Sequence, residues 1–210
     1  MAGRRMTRMK RLRKICMTAA AVLVMAAALM LAGCGSQSGA MQISQFVPDE
    51  GQKDMYDLAV SGLDESIVMK FDAGTGVKDM AVGYEVYEKG KKVRDDVPQF
   101  GLTAEKDSPM KGYLGLWFMG GEGRISTSGA AVSSVTLDAP WKEYEDKDGY
   151  SWGSSGGGGD IVKGEKTYIY GHYVMKDDSD MEIVDPVSVM SDKDMLKQYE
   201  KAYMFYVIFK

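Results

Sequence analysis

The alternation of apolar and polar residues with a period of two constrains the fold of this chain more than any other feature. In residues 67–71 and 80–86, large apolar side chains recur at every second position. Successive side chains of a strand point to opposite faces, so this spacing predicts strands with one buried face. The same reasoning predicts further strands, for about eight in all, at residues 112–119, 124–127, 131–137 and 166–175.

The end of the chain carries the strongest strand signal. Residues 203–210 (YMFYVIFK) are aromatic and β-branched and have almost no polar side chain. We expect a central strand here, because an exposed edge of this composition would promote aggregation. Residues 181–189 contain Pro186, which predicts an edge strand or a bulged strand.

One short helix is expected just before the last strand. Ser191, followed three residues later by Asp194, resembles a capping box. The residues that then lie near one helical face are Met195, Leu196 and Tyr199. Strands separated by turns, with one short helix, predict an all-β fold. We expect an antiparallel β-sandwich, immunoglobulin-like as the first choice, with a small barrel as the alternative.

The N-terminal segment has the features of an export signal. Residues 1–14 are basic, residues 15–31 are almost entirely apolar, and the run ends in Leu31-Ala32-Gly33-Cys34. These four residues resemble the lipobox of bacterial lipoprotein precursors. The resemblance implies that residues 1–33 are a signal peptide and that Cys34 carries diacylglycerol and acyl lipid. It also implies a membrane anchor on the extracytoplasmic face of a bacterial cell envelope.

The remaining sequence divides into a spacer and one domain. Residues 34–52 contain the lipidated cysteine and a polar, Gly- and Ser-containing stretch, which predicts a flexible tether. We expect a single β-sandwich domain over residues 53–210, with a short helical turn near its start. A chain of 210 residues leaves room for one core of ordinary size.

Charge and cysteine content exclude several kinds of function. Residues 34–210 hold 19 basic residues and all 30 acidic residues, a net charge of −11. Nucleic acid is therefore excluded as an expected partner, because phosphate binding depends on a basic surface. The two cysteines are Cys16, in the signal, and Cys34, so the domain has no thiol nucleophile and no thiolate ligand.

The residues of the domain do not form a recognisable catalytic motif. His172 is the one histidine, whereas a zinc site usually needs two or more His or Cys ligands. By strand alternation, His172 shares a face with Tyr168, Tyr170 and Val174. We expect it to be a structural or surface histidine, and we expect no catalytic residue and no cofactor other than the lipid.

A glycine-rich stretch with aromatic neighbours is the candidate recognition element. Residues 152–160 (WGSSGGGGD) predict a surface loop, either passively flexible or a mobile recognition loop. The residues that we expect to contact a ligand or partner are Trp141, Tyr144, Tyr150, Trp152 and Asp160. The alternative for the aromatic side chains is that they pack down onto the sandwich and close its end. No metal is expected, although Asp146 and Asp148 are candidates for an irregular calcium site.

These observations favour a non-enzymatic function. We expect an interaction module or an accessory subunit of an envelope complex, with membrane lipid at Cys34 and an envelope protein or a glycan as partners. The alternative is a lipoprotein that binds a small ligand, either carbohydrate or calcium. A small hydrolase ranks third.

Overall fold

The computed structural model of the chain describes residues 40–210, apart from residues 106–107, 130–132, 145–146 and 177–181 and the side chains of residues 95–99. Ala40–Lys210 forms one unit. The predicted signal peptide and Cys34 lie outside the described residues. Among the helices that are described, none is long and apolar enough to cross a membrane.

The described strands form two antiparallel sheets. The strands of the first sheet are β1 (Gln42–Gln45), β2 (Glu65–Asp72), β5 (Lys111–Met119), β6 (Glu122–Gly129), β7 (Ser133–Asp138) and β9 (Gly159–Asp160). The strands of the second sheet are β3 (Asp79–Glu88), β4 (Lys91–Thr103), β8 (Tyr150–Gly156), β10 (Lys166–Lys176) and β11 (Lys201–Phe209). Their spatial orders are β7-β6-β5-β2-β1-β9 and β4-β3-β11-β10-β8.

The two sheets pack face to face over an aromatic core. Phe205 of β11 lies 5.9 Å from Phe118 of β5, and Phe209 lies 5.6 Å from Phe71 of β2, measured between ring centroids. Such tilted and edge-on ring pairs stabilise a core beyond the burial of their area. The predicted antiparallel β-sandwich is therefore confirmed.

The edges of the sheets distinguish this sandwich from the two arrangements that we named. Neither sheet closes on itself, so the fold is not a closed barrel. The two sheets have six and five strands, whereas those of the constant-type immunoglobulin arrangement have four and three.

Strand β11 is central, as its composition predicts. It pairs with β3 on one side and with β10 on the other. Both faces of β11 are covered, because a second apolar cluster lies on the outer face of its sheet. In this cluster, Tyr199 packs 4.4 Å from Tyr173 of β10.

The predicted short helix before the last strand is present, but the chain forms it differently. An α-helix, α2 (Pro186–Ser191), is followed by a 3-10 helix at Lys193–Gln198. Asp185 caps α2 by accepting hydrogen bonds from the backbone of Val187 and Ser188. The prediction of a strand around Pro186 was wrong, because proline at the first helical position begins a helix when an acidic cap precedes it.

The predicted tether was too long, since the sandwich begins before residue 53. Strand β1 pairs with β2 and β9, and Ile43 is buried in the core. A helix, α1 (Glu50–Val60), follows it and begins at a capping box formed by Asp49 and Gln52. Polar composition predicted a flexible segment, but one buried isoleucine and two neighbouring strands are enough to order it.

The glycine-rich stretch is not a mobile loop. Strand β8 pairs with β10 as far as Gly156, and the chain then enters the other sheet as β9. A Cβ on Gly156 would lie 2.6 Å from Ile67 Cδ1, and a Cβ on Gly157 would lie 2.7 Å from the Tyr168 carbonyl oxygen. Because glycine has no Cβ, the chain can cross between the two sheets where neighbouring atoms leave no room for a side chain.

We predict that Gly158→Ala destabilises the protein more than Gly159→Ala by about 1–3 kcal/mol, a typical cost of overpacking. Both glycines have φ angles in the region that disfavours L-residues, +133° and +152°. A Cβ on Gly158 would lie 2.5 Å from the Ile43 carbonyl oxygen, whereas one on Gly159 meets nothing within 4 Å. Urea unfolding of both variants measures the difference. Equal losses in the free energy of unfolding of the two variants would mean that the chain is not tightly packed at Gly158.

Candidate functional site

Four of the five side chains predicted for recognition lie together at one end of the sandwich. Trp141 and Trp152 both stack on the ring of His172, and Tyr144 lies 5.4 Å from Tyr150. We call Trp141, Tyr144, Tyr150, Trp152 and His172 the aromatic end. The fifth predicted residue, Asp160, is elsewhere: it lies exposed in β9 and accepts a hydrogen bond from Gln42.

Trp141 is not available to a ligand. Only 3% of its surface is exposed, and its ring lies 3.8 Å from the His172 ring at an angle of 10°. It also contacts Phe118 at 4.5 Å, on the opposite sheet. Of the two alternatives for Trp141, ligand contact or closure of the sandwich, the structure shows the second, because the segment that carries it folds down and closes the end of the core.

The outer part of the aromatic end is a partly exposed surface formed by Trp152, Tyr144 and Tyr150. Trp152 is 41% exposed and lies 5.2 Å from the His172 ring. The Lys147 ammonium lies 4.8 Å from the centroid of Tyr144 and 4.7 Å from that of Tyr150. These cation–π contacts hold the two half-buried tyrosines against each other.

Beneath this surface lies a buried polar cluster that joins the two sheets. His172 Nδ1 lies 3.2 Å from Glu65 Oε2, and the Tyr170 hydroxyl donates a hydrogen bond to the same oxygen. Burial is the larger influence on His172 and lowers its pKa, although the hydrogen bond to Glu65 acts in the opposite direction. Because its pKa is lowered, the imidazole ring is neutral and donates a hydrogen bond from its Nδ1–H to Glu65.

A bulge changes the face assignment around His172. The pairing of β10 with β11 shifts between Tyr168 and Tyr170. Tyr170 and Val174 belong to the core between the sheets, as alternation predicts, whereas Tyr168 packs against the cluster on the outer face. The predicted face was therefore wrong for Tyr168, because one additional residue in a strand reverses the alternation beyond it.

A second feature, which the sequence did not indicate, is an apolar groove between α1 and the outer face of the first sheet. Its volume is about 570 Å³. The apolar side chains that line it include Ala59, Leu63, Trp117 and Met119. Helix α1 has no buried residue, and Met55 and Leu58 are exposed by 70% and 72%. We call this feature the α1 groove.

Only one of the two aspartates considered for calcium lies within the described residues. Asp146 lies outside the described residues, and Asp148 is exposed. Within the described part of the chain, no group of three or more His, Cys, Asp or Glu side chains is arranged to hold a metal ion.

Two sets of residues were missed by reasoning from the sequence. Glu65 was missed because its partner His172 is more than one hundred residues away, on the opposite sheet. The α1 groove was missed because alternation in β5 assigns Trp117 and Met119 to one face without showing whether that face is covered. Comparison of the chain with protein-family models, with curated proteins and with solved structures finds no match.

Proposed function

We propose that this chain is a lipid-anchored, extracytoplasmic interaction module without enzymatic activity, which binds an envelope protein through the α1 groove. The anchor rests on the lipobox-like residues that end at Cys34. The observation that carries the binding function is the exposure of large apolar side chains on the elements that form the groove.

Three exposed apolar side chains belong to the elements that form the α1 groove. Met55 and Leu58 extend from α1, and Met119, at the end of β5, is 57% exposed. Single exposed apolar residues are ordinary, but a continuous patch beside a groove is typical of a binding surface. No residue of α1 is fully buried, so a partner that covers the helix would bury apolar surface that the domain leaves exposed.

The charges around the groove indicate the chemistry of that partner. Asp54, Asp57 and Asp64 are exposed on or next to α1, and Glu122 lines the groove, so acidic side chains outnumber the basic Lys53 of α1 and Arg124 of the groove. The domain as a whole carries the net charge of −11 noted above. A complementary partner is an apolar segment flanked by Lys or Arg, because opposite charges at the rim favour association and orientation.

The environment of His172 supports a function other than catalysis. The ring is fully buried and stacks on two tryptophans. Ser154 lies opposite it in the register of β8 and β10, but His172 Nε2 forms no hydrogen bond in the described structure. A general base needs access to the proton that it removes, and this ring has no exposed edge.

Photo-crosslinking in intact cells tests the proposal. A photoreactive amino acid at Met55 is expected to capture one specific protein, whereas the same group at the exposed Val162, outside the groove, is not. Glu122→Lys is expected to reduce that product, because it reverses a charge that lines the groove, while the exposed Glu165→Lys leaves it unchanged. Cys34→Ser should release the protein from the membrane fraction.

Two outcomes would contradict the proposed partner. Equal crosslinking from Met55 and Val162 would indicate random encounters rather than a binding groove. A specific product that is insensitive to Glu122→Lys, or a captured segment without basic flanking residues, would exclude the charge complementarity. Retention of the Cys34→Ser protein on membranes would count against the lipid anchor separately.

A further inference from the structure

A cleft of about 350 Å³ lies beside the aromatic end, separate from the α1 groove. Its polar side chains are Arg94, Glu143, Lys201 and Tyr203, and Val86 and Val93 contribute apolar surface. It lies where β3, β4 and β11 meet the turn after β7. The volume falls within the range of small-molecule sites.

Arg94 is held in place but has no carboxylate partner among the described residues. Its Nη1 donates a hydrogen bond of 2.8 Å to the Tyr84 hydroxyl, and its guanidinium carbon lies 5.2 Å from the centroid of the Tyr84 ring. These contacts orient the guanidinium group and use one of its five N–H donors. The remaining donors are available to a ligand.

The second cation of the cleft is already neutralised. Lys201 Nζ lies 2.8 Å from Glu143 and 3.2 Å from Glu88. Burial lowers the pKa of Lys201, but the hydrogen bonds to these two carboxylates outweigh it, and the pKa is raised above its ordinary value. Lys201 therefore stays charged and paired, so among the described residues Arg94 is the cation of the cleft that has no carboxylate partner.

Tyr203 adds an unsatisfied hydrogen-bonding group. Its side chain is 1% exposed, and its hydroxyl lies near the Lys201 ammonium but makes no hydrogen bond of good geometry in the described structure. Burial, opposed by the Lys201 ammonium, raises the pKa of Tyr203, so the hydroxyl keeps its proton and is a donor. An unpaired buried hydroxyl costs free energy, which a ligand oxygen would recover.

We infer that this cleft binds a small molecule or a chain terminus that carries a single carboxylate, paired with Arg94 and hydrogen-bonded to Tyr203. A planar carboxylate matches the guanidinium fork. The adjacent Glu143 and Glu88 and the negative net charge favour a monoanion over a phosphate dianion. The inference concerns a different surface from the α1 groove and stands independently of the proposed partner.

Ligand-detected NMR with the full-length protein tests the inference. The probes are N-acetylglycine, its amide, and N-acetyltriglycine. Both acids are expected to bind saturably and the amide is not. Tighter binding of N-acetyltriglycine would identify a peptide C-terminus as the ligand, and equal or weaker binding would identify a free acid.

Three variants separate the site from general electrostatics. Arg94→Gln is expected to weaken acid binding by at least about tenfold, and Tyr203→Phe by about fivefold, from the usual strengths of charged and neutral hydrogen bonds. Lys91→Gln removes the same charge at the exposed start of β4 and should leave binding unchanged. Equal binding of acid and amide, no saturable binding, or equal losses in Arg94→Gln and Lys91→Gln would overturn the inference.

Discussion

Replacing Trp141 with alanine is expected to lower the free energy of unfolding by about 3–5 kcal/mol, the usual cost of truncating a buried aromatic side chain. The indole contacts the rings of Phe118, His172 and Tyr203 at centroid distances of 4.5, 3.8 and 5.7 Å. These neighbours come from both sheets, so they cannot all move inward to fill the cavity. Chemical denaturation followed by circular dichroism measures the loss.

Trp152→Ala is the matched control, because both indoles stack on His172 but only Trp152 is substantially exposed. Its truncation is expected to cost about 1 kcal/mol, since much of its surface stays in contact with water. A similar cost for the two variants would contradict the assignment of Trp141 to the core. It would restore the interpretation of both tryptophans as surface contact residues.

Glu85→Ala is expected to destabilise the protein by about 3–5 kcal/mol, because it removes the anion from a buried ionic cluster. The carboxylate is 3% exposed and lies 2.5 Å from Lys166 and 3.2 Å from Lys92. The hydroxyls of Tyr87 and Tyr168 also donate hydrogen bonds to it, at 2.6 and 3.1 Å. Without Glu85, these four groups lose a shared acceptor.

Glu88→Ala on the same strand provides the comparison. Its carboxylate is 51% exposed and pairs with Lys201 at 3.2 Å, so its removal is expected to cost less than about 1 kcal/mol. Thermal and urea unfolding of the two variants measure the contrast. A loss below 1 kcal/mol for Glu85→Ala would show that the cluster contributes little beyond the cost of its own desolvation.

The aromatic end, the α1 groove and the cleft differ in what they contribute. The aromatic end closes the core and exposes Trp152, while the groove and the cleft offer surfaces that the domain leaves uncovered. Variants of Trp141 and Glu85 therefore report on stability. Variants of Glu122 and Arg94 report on binding. The stability measurements and the binding measurements can therefore be interpreted independently.

Local patterns of residues account for most of the strand predictions. Alternation marks which side chains of a strand share a face, and so the positions of β2, β3, β5, β10 and β11 follow from it. Composition also predicts the central place of β11. Its apolar side chains need to be buried on both faces, and its two edges need to be paired with other strands.

Contacts between distant residues settled the remaining features. The glycines of residues 156–159 carry no side-chain pattern, and where they cross between the sheets Ile43 and Ile67 leave no room for a Cβ on Gly158 and Gly156. Tryptophan suits both a buried and a half-exposed position, so composition does not separate Trp141 from Trp152. The burial of Trp141 against Phe118, the pairing of Glu65 with His172 and the exposure of α1 all depend on which elements meet across the sandwich. Periodicity within a single strand does not show which element packs against that strand, because it distinguishes only the two faces of the strand itself.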